Sequence, residues 1–212
     1  MRNLKRTLSL ALASVMLVGM MSVGASAVNA SDFTDADEIV NKDAVSTMTA
    51  LGIINGKEDG SYFDPTGTVT RAEMAKMLCV AINGGVDPVL GVKDTPTFTD
   101  IKGHWAESYI EYCAANGIIA GRGNNKFDPT GTVSATEAAK MLLGVLGYNA
   151  EKSGLVGNDW AINTNVLANQ NGLYKNLSNL NANTLLTRDN AAQMIYNALD
   201  ANMVELNAAG NY

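Results

Sequence analysis

Two arginines are placed where their charge could bind an anionic ligand. Arg71 and Arg188 each follow a threonine, in the strings TRAE and TRDN, at the start of a stretch with helical periodicity. The helix dipole disfavours a cation in the first turn by up to about 1 kcal/mol, so helix stability does not explain these residues. A guanidinium beside free backbone amides is a good receptor for a carboxylate or phosphate. A solvated surface arginine is the alternative, and the recurrence at Arg188 favours the binding role.

The residues around these arginines have a structural explanation of their own. Thr70 and Glu73 form the pattern of a capping box, in which the hydroxyl and the carboxylate each bind the other residue's backbone amide. Ser134 and Glu137 repeat this pattern 64 residues later, and Thr187 begins a third, weaker version in which an asparagine replaces the acid. We therefore predict that these five residues cap helices and do not bind the ligand.

The second copy of the pattern keeps the cap and lacks the arginine, because Ala135 stands where the first copy has Arg71. Two tryptophans, Trp105 and Trp160, stand at the start of other helices, where the first copy has Val40. An aromatic face can stack on a sugar ring, and it can equally fill a hydrophobic core. The sequence leaves both roles open for the tryptophans and predicts that the second copy has lost its arginine contact.

Internal repetition organises the chain. The strings FDPTGTVTRAEMAKML and FDPTGTVSATEAAKML begin at Phe63 and Phe127, and a weaker third copy runs through Trp160, Gly172 and Thr187. The predicted organisation is a signal peptide, three repeats and a short tail, at residues 1–27, 31–84, 96–147, 154–204 and 205–212.

Each repeat has the pattern of a helix, a loop and a second helix. Glycine follows the first helix, and the loop contains turn-forming Asp, Pro and Gly, so we expect Asp64 and Asp128 to shape turns. In the second helix of repeat one an apolar stripe recurs at helical spacing, at Met74, Met77, Leu78, Ala81 and Ile82. One helix pair cannot bury such a stripe alone, so we expect the repeats to pack together.

The first residues predict export from the cell. Arg2, Lys5 and Arg6 precede an apolar run that ends near the small residues Ala25 and Ala27, which is typical of a cleaved signal peptide. An uncleaved membrane anchor is the alternative, but the run is shorter than the roughly 20 apolar residues that span a bilayer. Removing these three cations from 15 leaves 12 against 21 acidic residues, a net charge of −9. Such a charge disfavours nucleic acid or a membrane as partner.

Few residues could support catalysis or hold a metal ion. His104 is the one histidine, and its position beside Trp105 predicts a role at a helix start. The two cysteines, Cys79 and Cys113, fall on apolar helical stretches, where buried thiols are favoured over a disulfide that export would also allow. We therefore expect no enzyme activity, no catalytic residues, no cofactor and no metal site.

The string FTDIKGHWAESYIEYCAANGIIAGRGNNKFDPTGTV, followed in the first copy by TRAE, resembles the S-layer homology family. Repeats of that family contain F-x-D, H-W-A, G-I-I-x-G, F-x-P and T-R-A-E. The resemblance extends from about Phe33 to Val204 and is weakest in the third copy. It implies an all-α fold of three tandem helix-loop-helix repeats packed as a pseudo-threefold unit, with grooves between neighbouring repeats.

The resemblance also implies a function. The family anchors exported proteins non-covalently to the bacterial cell wall by binding a secondary wall polysaccharide whose sugars carry an acidic pyruvate ketal. Its binding arginine corresponds to Arg71 and Arg188, and its helix-start tryptophan to Trp105 and Trp160. Because Ala135 and residues 180–182 depart from the family pattern, we do not expect three equivalent sites.

The expected partner is thus a wall polysaccharide, and the expected location is the cell wall or surface layer. Weak sites on separate repeats would combine through avidity on a repeating polymer. The alternative is a structural protein that assembles laterally at the cell surface. Wall degradation is the third candidate, and the absence of a catalytic motif speaks against it.

Overall fold

The computed structural model describes residues 28–177, 180–207 and 209–212. Over these residues the chain forms six α-helices and no extended strand. The helices are α1 Lys42–Ala50, α2 Arg71–Ile82, α3 Glu107–Ala115, α4 Ala135–Val145, α5 Trp160–Gln170 and α6 Arg188–Leu199. Two short 3-10 turns, Ala30–Asp32 and Ala36–Glu38, precede them. The predicted all-α fold is therefore confirmed, while the predicted signal peptide lies outside the described residues.

The second helix of each pair begins at the residue that the sequence indicates. Thr70 and Ser134 accept a hydrogen bond from the backbone amides of Glu73 and Glu137, and both glutamates complete a capping box. Thr187 accepts from the amide of the residue three positions later, without an acid to complete the box. All three predicted caps are confirmed, because this geometry depends only on residues three positions apart.

The apolar stripe of α2 is buried as predicted, with Met74, Met77, Leu78 and Ile82 in the core and Ala81 packed at its edge. Each second helix packs against the first helix of the next pair along the chain: α2 on α3, α4 on α5, and α6 back on α1. The core is thus continuous across the helix pairs, as expected for units too small to bury their own apolar faces.

A ring of three backbone hydrogen bonds joins the segments that precede α2, α4 and α6. Val69 donates its amide to the carbonyl of Leu186 (2.9 Å), Leu186 donates to Val133 (2.8 Å), and Val133 donates to Val69 (2.9 Å). All three side chains are fully buried. Because each segment gives one bond and receives one, this ring holds the N-termini of the three second helices together.

No helix among the described residues is long and apolar enough to cross a membrane.

Candidate functional site

Arg71 is the first residue of α2, yet its side chain leaves that helix and enters the loop between α3 and α4. Its Nε donates to the carbonyl of Phe127 (2.8 Å), and one terminal nitrogen donates to the carbonyl of Ala120 (2.7 Å). The guanidinium carbon lies 4.3 Å from the centroid of the Phe127 ring, in cation–π geometry. Only 3% of Arg71 is exposed, so the solvated surface arginine considered from the sequence is wrong.

Arg188, the first residue of α6, makes the same contacts with the loop between α1 and α2. Its Nε donates to the carbonyl of Phe63 (2.7 Å), a terminal nitrogen donates to Asn55 (2.8 Å), and the guanidinium carbon is 5.0 Å from the Phe63 ring centroid. It is 5% exposed. Burial lowers the pKa of Arg71 to about 10, so its guanidinium remains protonated at neutral pH, and burial also lowers the pKa of Arg188. Each arginine clamps the loop of the neighbouring helix pair.

The clamped loops are also held from within by an aspartate that the sequence analysis missed. The Asp35 carboxylate accepts the backbone amides of Phe63 (2.9 Å) and Asp64 (2.7 Å). Asp100 accepts those of Phe127 (2.9 Å) and its successor (2.8 Å) in the same way. Burial acts to raise the pKa of Asp100, but these amide bonds lower it below its ordinary value. The recurring string FTD was the available signal.

The two loops adopt the turn that the sequence predicts at their aspartates. Asp64 and Asp128 have positive backbone φ angles, 61° and 62°, which short polar side chains tolerate. Lys57 donates to the Asp64 carboxylate, and Arg122 donates to that of Asp128. These aspartates therefore shape the turn and are paired within their own loop.

At the third loop, between α5 and α6, the sequence has neither the phenylalanine, the aspartate nor the arginine of this clamp at the corresponding positions. Leu180 stands where the other loops have phenylalanine, and Leu155 precedes Trp160 by the same five residues as Asp100 precedes Trp105. A backbone hydrogen bond to the loop is nevertheless kept. The amide of Ala135 donates to the carbonyl of Thr184, as the amide of Arg71 donates to that of Gly131, both at 2.9 Å. The arginine is thus absent at the one junction where the opposing loop offers no phenylalanine ring. This relationship explains Ala135 without reference to a ligand.

Trp105 lies just before α3, beside the contact between α2 and α3, which we call the first groove. It is 56% exposed and precedes α3 by two residues, which corrects the prediction that it opens the helix and excludes a role as a core residue. The Tyr109 ring lies 6.4 Å from its ring, and Lys76 Nζ lies 5.4 Å from the Tyr109 centroid. Asp87 belongs to the linker at residues 84–97, between α2 and α3. Its carboxylate accepts from the Tyr109 hydroxyl (2.6 Å) and pairs with Lys76 (3.0 Å). The charge of this lysine is therefore already neutralised.

Trp160 lies in the corresponding groove between α4 and α5, and is half-buried as the first residue of α5. Lys140 Nζ lies 5.1 Å from the centroid of its ring. Among the residues that the structure describes, no carboxylate forms an ion pair with Lys140. Burial, and then the charge of Arg71, lowers the pKa of Lys140. This groove thus contains an aromatic face and a partly buried cation that has no counter-ion in the described part of the chain, a combination suited to an anionic sugar.

The third groove, between α6 and α1, has neither the tryptophan nor the lysine at the corresponding positions. Val40, 83% exposed, replaces the tryptophan. Gln193 replaces the lysine and donates to Asn197 (2.8 Å). Asn41 binds the Asp189 carboxylate through its backbone amide (3.0 Å) and side chain (2.6 Å). The structure therefore does not bring the predicted arginines and tryptophans together: Arg71 and Arg188 bind loops, while each tryptophan lies near a lysine that the sequence analysis did not single out. Of these two lysines, Lys140 has no ion pair among the described residues.

A separate cavity of about 330 Å³ extends along α5. Its lining includes the aromatic rings of Tyr148 and Tyr212, whose centroids are 5.0 Å apart, and the amide side chains of Asn163 and Gln170. Asn163 and Leu167 lie three and seven residues after Trp160, so they continue the helix face that starts at that tryptophan. The side chains of the described residues that line the cavity are all uncharged.

Two segments of the chain match a known protein family. The model of the S-layer homology domain matches residues 32–75 and 97–139. The chain is 28% identical over 207 residues to a cell surface protein of Thermoanaerobacter kivui, which covers 97% of this chain and 26% of that protein. It is 32% identical over 111 residues to an S-layer protein of Bacillus licheniformis, covering 52% and 12%. It is 28% identical over 156 residues to exoglucanase XynX of Acetivibrio thermocellus, covering 69% and 14%. The chain thus spans about a quarter or less of each relative.

Proposed function

We propose that this chain anchors a surface protein non-covalently to the bacterial cell wall, because its residues 32–75 and 97–139 match the S-layer homology domain. The segment it shares is common to a cell surface protein, an S-layer protein and an exoglucanase. A segment shared by proteins of such different kinds supports a common role in attachment and not in catalysis. The ligand we propose is a secondary wall polysaccharide with an acidic substituent, such as a pyruvate ketal.

The pairing of Lys140 with Trp160 carries this proposal. A carboxylate on a sugar would supply the counter-ion that the described residues do not give Lys140, while the ring of Trp160 would stack on the sugar. Leaving a half-buried ammonium without an acid costs free energy in the unbound protein, and a ligand carboxylate would recover it. Lys76 has the corresponding position in the first groove, but Asp87 competes with a ligand there. We therefore assign the main site to the groove between α4 and α5.

The cavity along α5 would extend this site. A wall polysaccharide presents several sugars in sequence, of which only some carry an acid. Aromatic rings and amide side chains, here Tyr148, Tyr212, Asn163 and Gln170, suit uncharged sugars, because they offer stacking and hydrogen bonds without a charge. We propose that the acidic sugar binds Lys140 and that a neighbouring neutral sugar lies against the cavity.

Direct contact of Arg71 and Arg188 with the polysaccharide stays a prediction. The burial of both guanidinium groups favours a positioning role, in which each arginine fixes the distance between one helix pair and the next. Arg71 also contributes positive charge near Lys140. On this proposal the arginines preserve the shape of the grooves, and the tryptophans and lysines contact the ligand.

We further propose that residues 154–204 are a third, diverged S-layer homology repeat and that the three repeats pack about a pseudo-threefold axis. The ring of hydrogen bonds through Val69, Val133 and Leu186 supports this arrangement, since each unit contributes the same bond. The packing of α6 against α1 supports it as well, because it closes the series begun by α2 on α3 and α4 on α5.

Calorimetry with a purified wall polysaccharide tests the proposed function. The polymer would be titrated before and after mild acid has removed its pyruvate ketals. Binding to the intact polymer that disappears after removal supports the proposal. Binding that is unchanged would reject the acidic substituent as the ligand. If no polysaccharide binds and the protein instead assembles as its concentration rises, the lateral structural role replaces anchoring; the names of the S-layer relatives make this the second candidate.

A further inference from the structure

The two cysteines of the chain meet where its first two helix pairs pack together. Cys79 lies on α2 and Cys113 on α3, and their sulfur atoms are 3.3 Å apart although 34 residues separate them in sequence. Both are fully buried thiols. Cys79 Sγ also contacts the carbonyl of Tyr109 (3.5 Å), and Cys113 Sγ contacts that of Ala75 (3.5 Å). Each sulfur therefore packs directly against the other helix.

We propose that Cys79 and Cys113 are a modification site. A small-molecule disulfide oxidises the two thiols, and the resulting Cys79–Cys113 bond covalently joins the first helix pair to the second. One thiolate attacks the external disulfide and releases a thiol, which forms a mixed disulfide on the protein. The other cysteine then attacks this bond and releases a second thiol. In total two S–H bonds are lost, one S–S bond forms, and the external disulfide is reduced to two thiols.

The surroundings of the pair favour the intramolecular product. Because both sulfurs are buried and 3.3 Å apart, the second thiol lies beside the mixed disulfide as soon as it forms. A bulky adduct has no space in the packed interface between α2 and α3, whereas the internal disulfide adds no atoms. The hydrogen bond with Cys79, and then burial, raises the pKa of Cys113, so we expect oxidation to be slow and to need transient opening of the interface.

This chemistry is specific to one junction. In the packing of α4 on α5, Leu143 and Ala168 occupy the positions that correspond by repeat spacing to Cys79 and Cys113, and both are buried. A bond between the cysteines would close a loop that contains the linker at residues 84–97. Val89 and Val92 in this linker are exposed, so it offers a site for cleavage. The bond would keep the two helix pairs joined after such a cut, independently of what the grooves bind.

The test uses the full chain with a recognition sequence for a site-specific protease inserted after Gly91, where no neighbouring atom is close. The folded protein is incubated with oxidised glutathione, cleaved, and separated by electrophoresis without reductant. We expect the fragments to migrate together until reductant is added, and the uncleaved protein to lose the mass of two hydrogen atoms. Separate fragments with both thiols still titratable, a lasting glutathione adduct, or a disulfide-linked dimer would each overturn the proposal.

The matched control is Cys113→Ala. Alanine is the residue found at the corresponding buried position of α5, Ala168, so we expect the variant to fold with unchanged helicity. Its fragments must separate without reductant after the same treatment. Fragments that stay together in this variant would show that packing and not a disulfide holds them, and would also overturn the proposal.

Discussion

Arg71 Nε donates a hydrogen bond to the carbonyl oxygen of Phe127, 2.8 Å away and 56 residues further along the chain. The same bond joins Arg188 to Phe63 at 2.7 Å. It is missing where Ala135 faces the loop that has Leu180 in place of phenylalanine. At each contact between helix pairs, the arginine and the opposing phenylalanine are therefore either both present or both absent. This indicates that the role of each arginine is to hold the neighbouring loop.

Loss of the Arg71 clamp should destabilise the fold. Arg71→Ala removes two hydrogen bonds to backbone carbonyls and the stacking on Phe127, so we expect the free energy of unfolding to fall by about 3 kcal/mol. Arg71→Lys should recover little of this loss, because one ammonium cannot reproduce the planar fork. Urea unfolding followed by circular dichroism measures both changes. The exposed cation Lys152, changed to alanine, is the control and should differ little from the wild type; equal losses in all three variants would contradict the clamp.

Restoring the arginine in the second copy should not restore stability. Ala135 is buried, and its opposing loop has Leu180 instead of phenylalanine. Lys175 corresponds by repeat spacing to Ala120, but its carbonyl already accepts from Asn197 (2.8 Å). We expect Ala135→Arg to lower the unfolding free energy by about 1 to 3 kcal/mol through overpacking. Adding Leu180→Phe should offset part of the loss, because the ring supplies a stacking surface. If Ala135→Arg instead left stability unchanged and tightened polysaccharide binding, the arginine would be a direct ligand contact.

The two lysine grooves should contribute unequally to polysaccharide binding. Lys140→Ala removes a cation without a counter-ion among the described residues, and we expect affinity to fall about tenfold, equivalent to about 1.4 kcal/mol. Lys76→Ala, the matched control, removes a lysine already paired with Asp87 (3.0 Å), so its effect should be several times smaller. Calorimetry at two salt concentrations separates the charge contribution from stacking. A larger loss in Lys76→Ala would move the main site to the first groove.

Acid should weaken the second capping box. Burial acts to raise the pKa of Glu137, but the Ser134 amide and the charges of Arg122 and Arg71 lower it below its ordinary value of 4.5. A carboxyl with a lowered pKa in the folded state stabilises the fold above its unfolded pKa and loses that contribution as pH falls through the folded value. We therefore expect Glu137→Gln to be less stable than wild type at pH 7, with the difference shrinking below about pH 4.5.

Thermal unfolding of wild type and Glu137→Gln between pH 7 and pH 2 measures this difference. Glu151→Gln is the control, because Glu151 is exposed and lies between α4 and α5. This variant should have the same stability as the wild type throughout. A difference between wild type and Glu137→Gln that stays constant with pH would contradict a role for the charge of Glu137.

The sequence predicted those features that depend on residues close together in the chain. The capping boxes at Thr70 and Ser134, the cap at Thr187 and the buried stripe of α2 all follow from spacings of three or four residues. The turns at Asp64 and Asp128 follow from local chemistry in the same way. Such features could be derived from one chain because propensity and helix geometry act within a single turn or helix.

Two features could not be derived in this way: the partners of the Arg71 side chain, and the lack of an ion pair for Lys140 among the described residues. Arg71 looked like a free cation at a helix start, since its partners Ala120 and Phe127 come from a loop at least 49 residues away. Lys140 attracted no attention, because its importance lies in the absence of a nearby acid in the described structure. The sequence by itself determined the repeats, the helices and their caps, which local interactions specify. Only the tertiary structure decided which charges are buried, paired or left free, because that depends on how separate helix pairs pack.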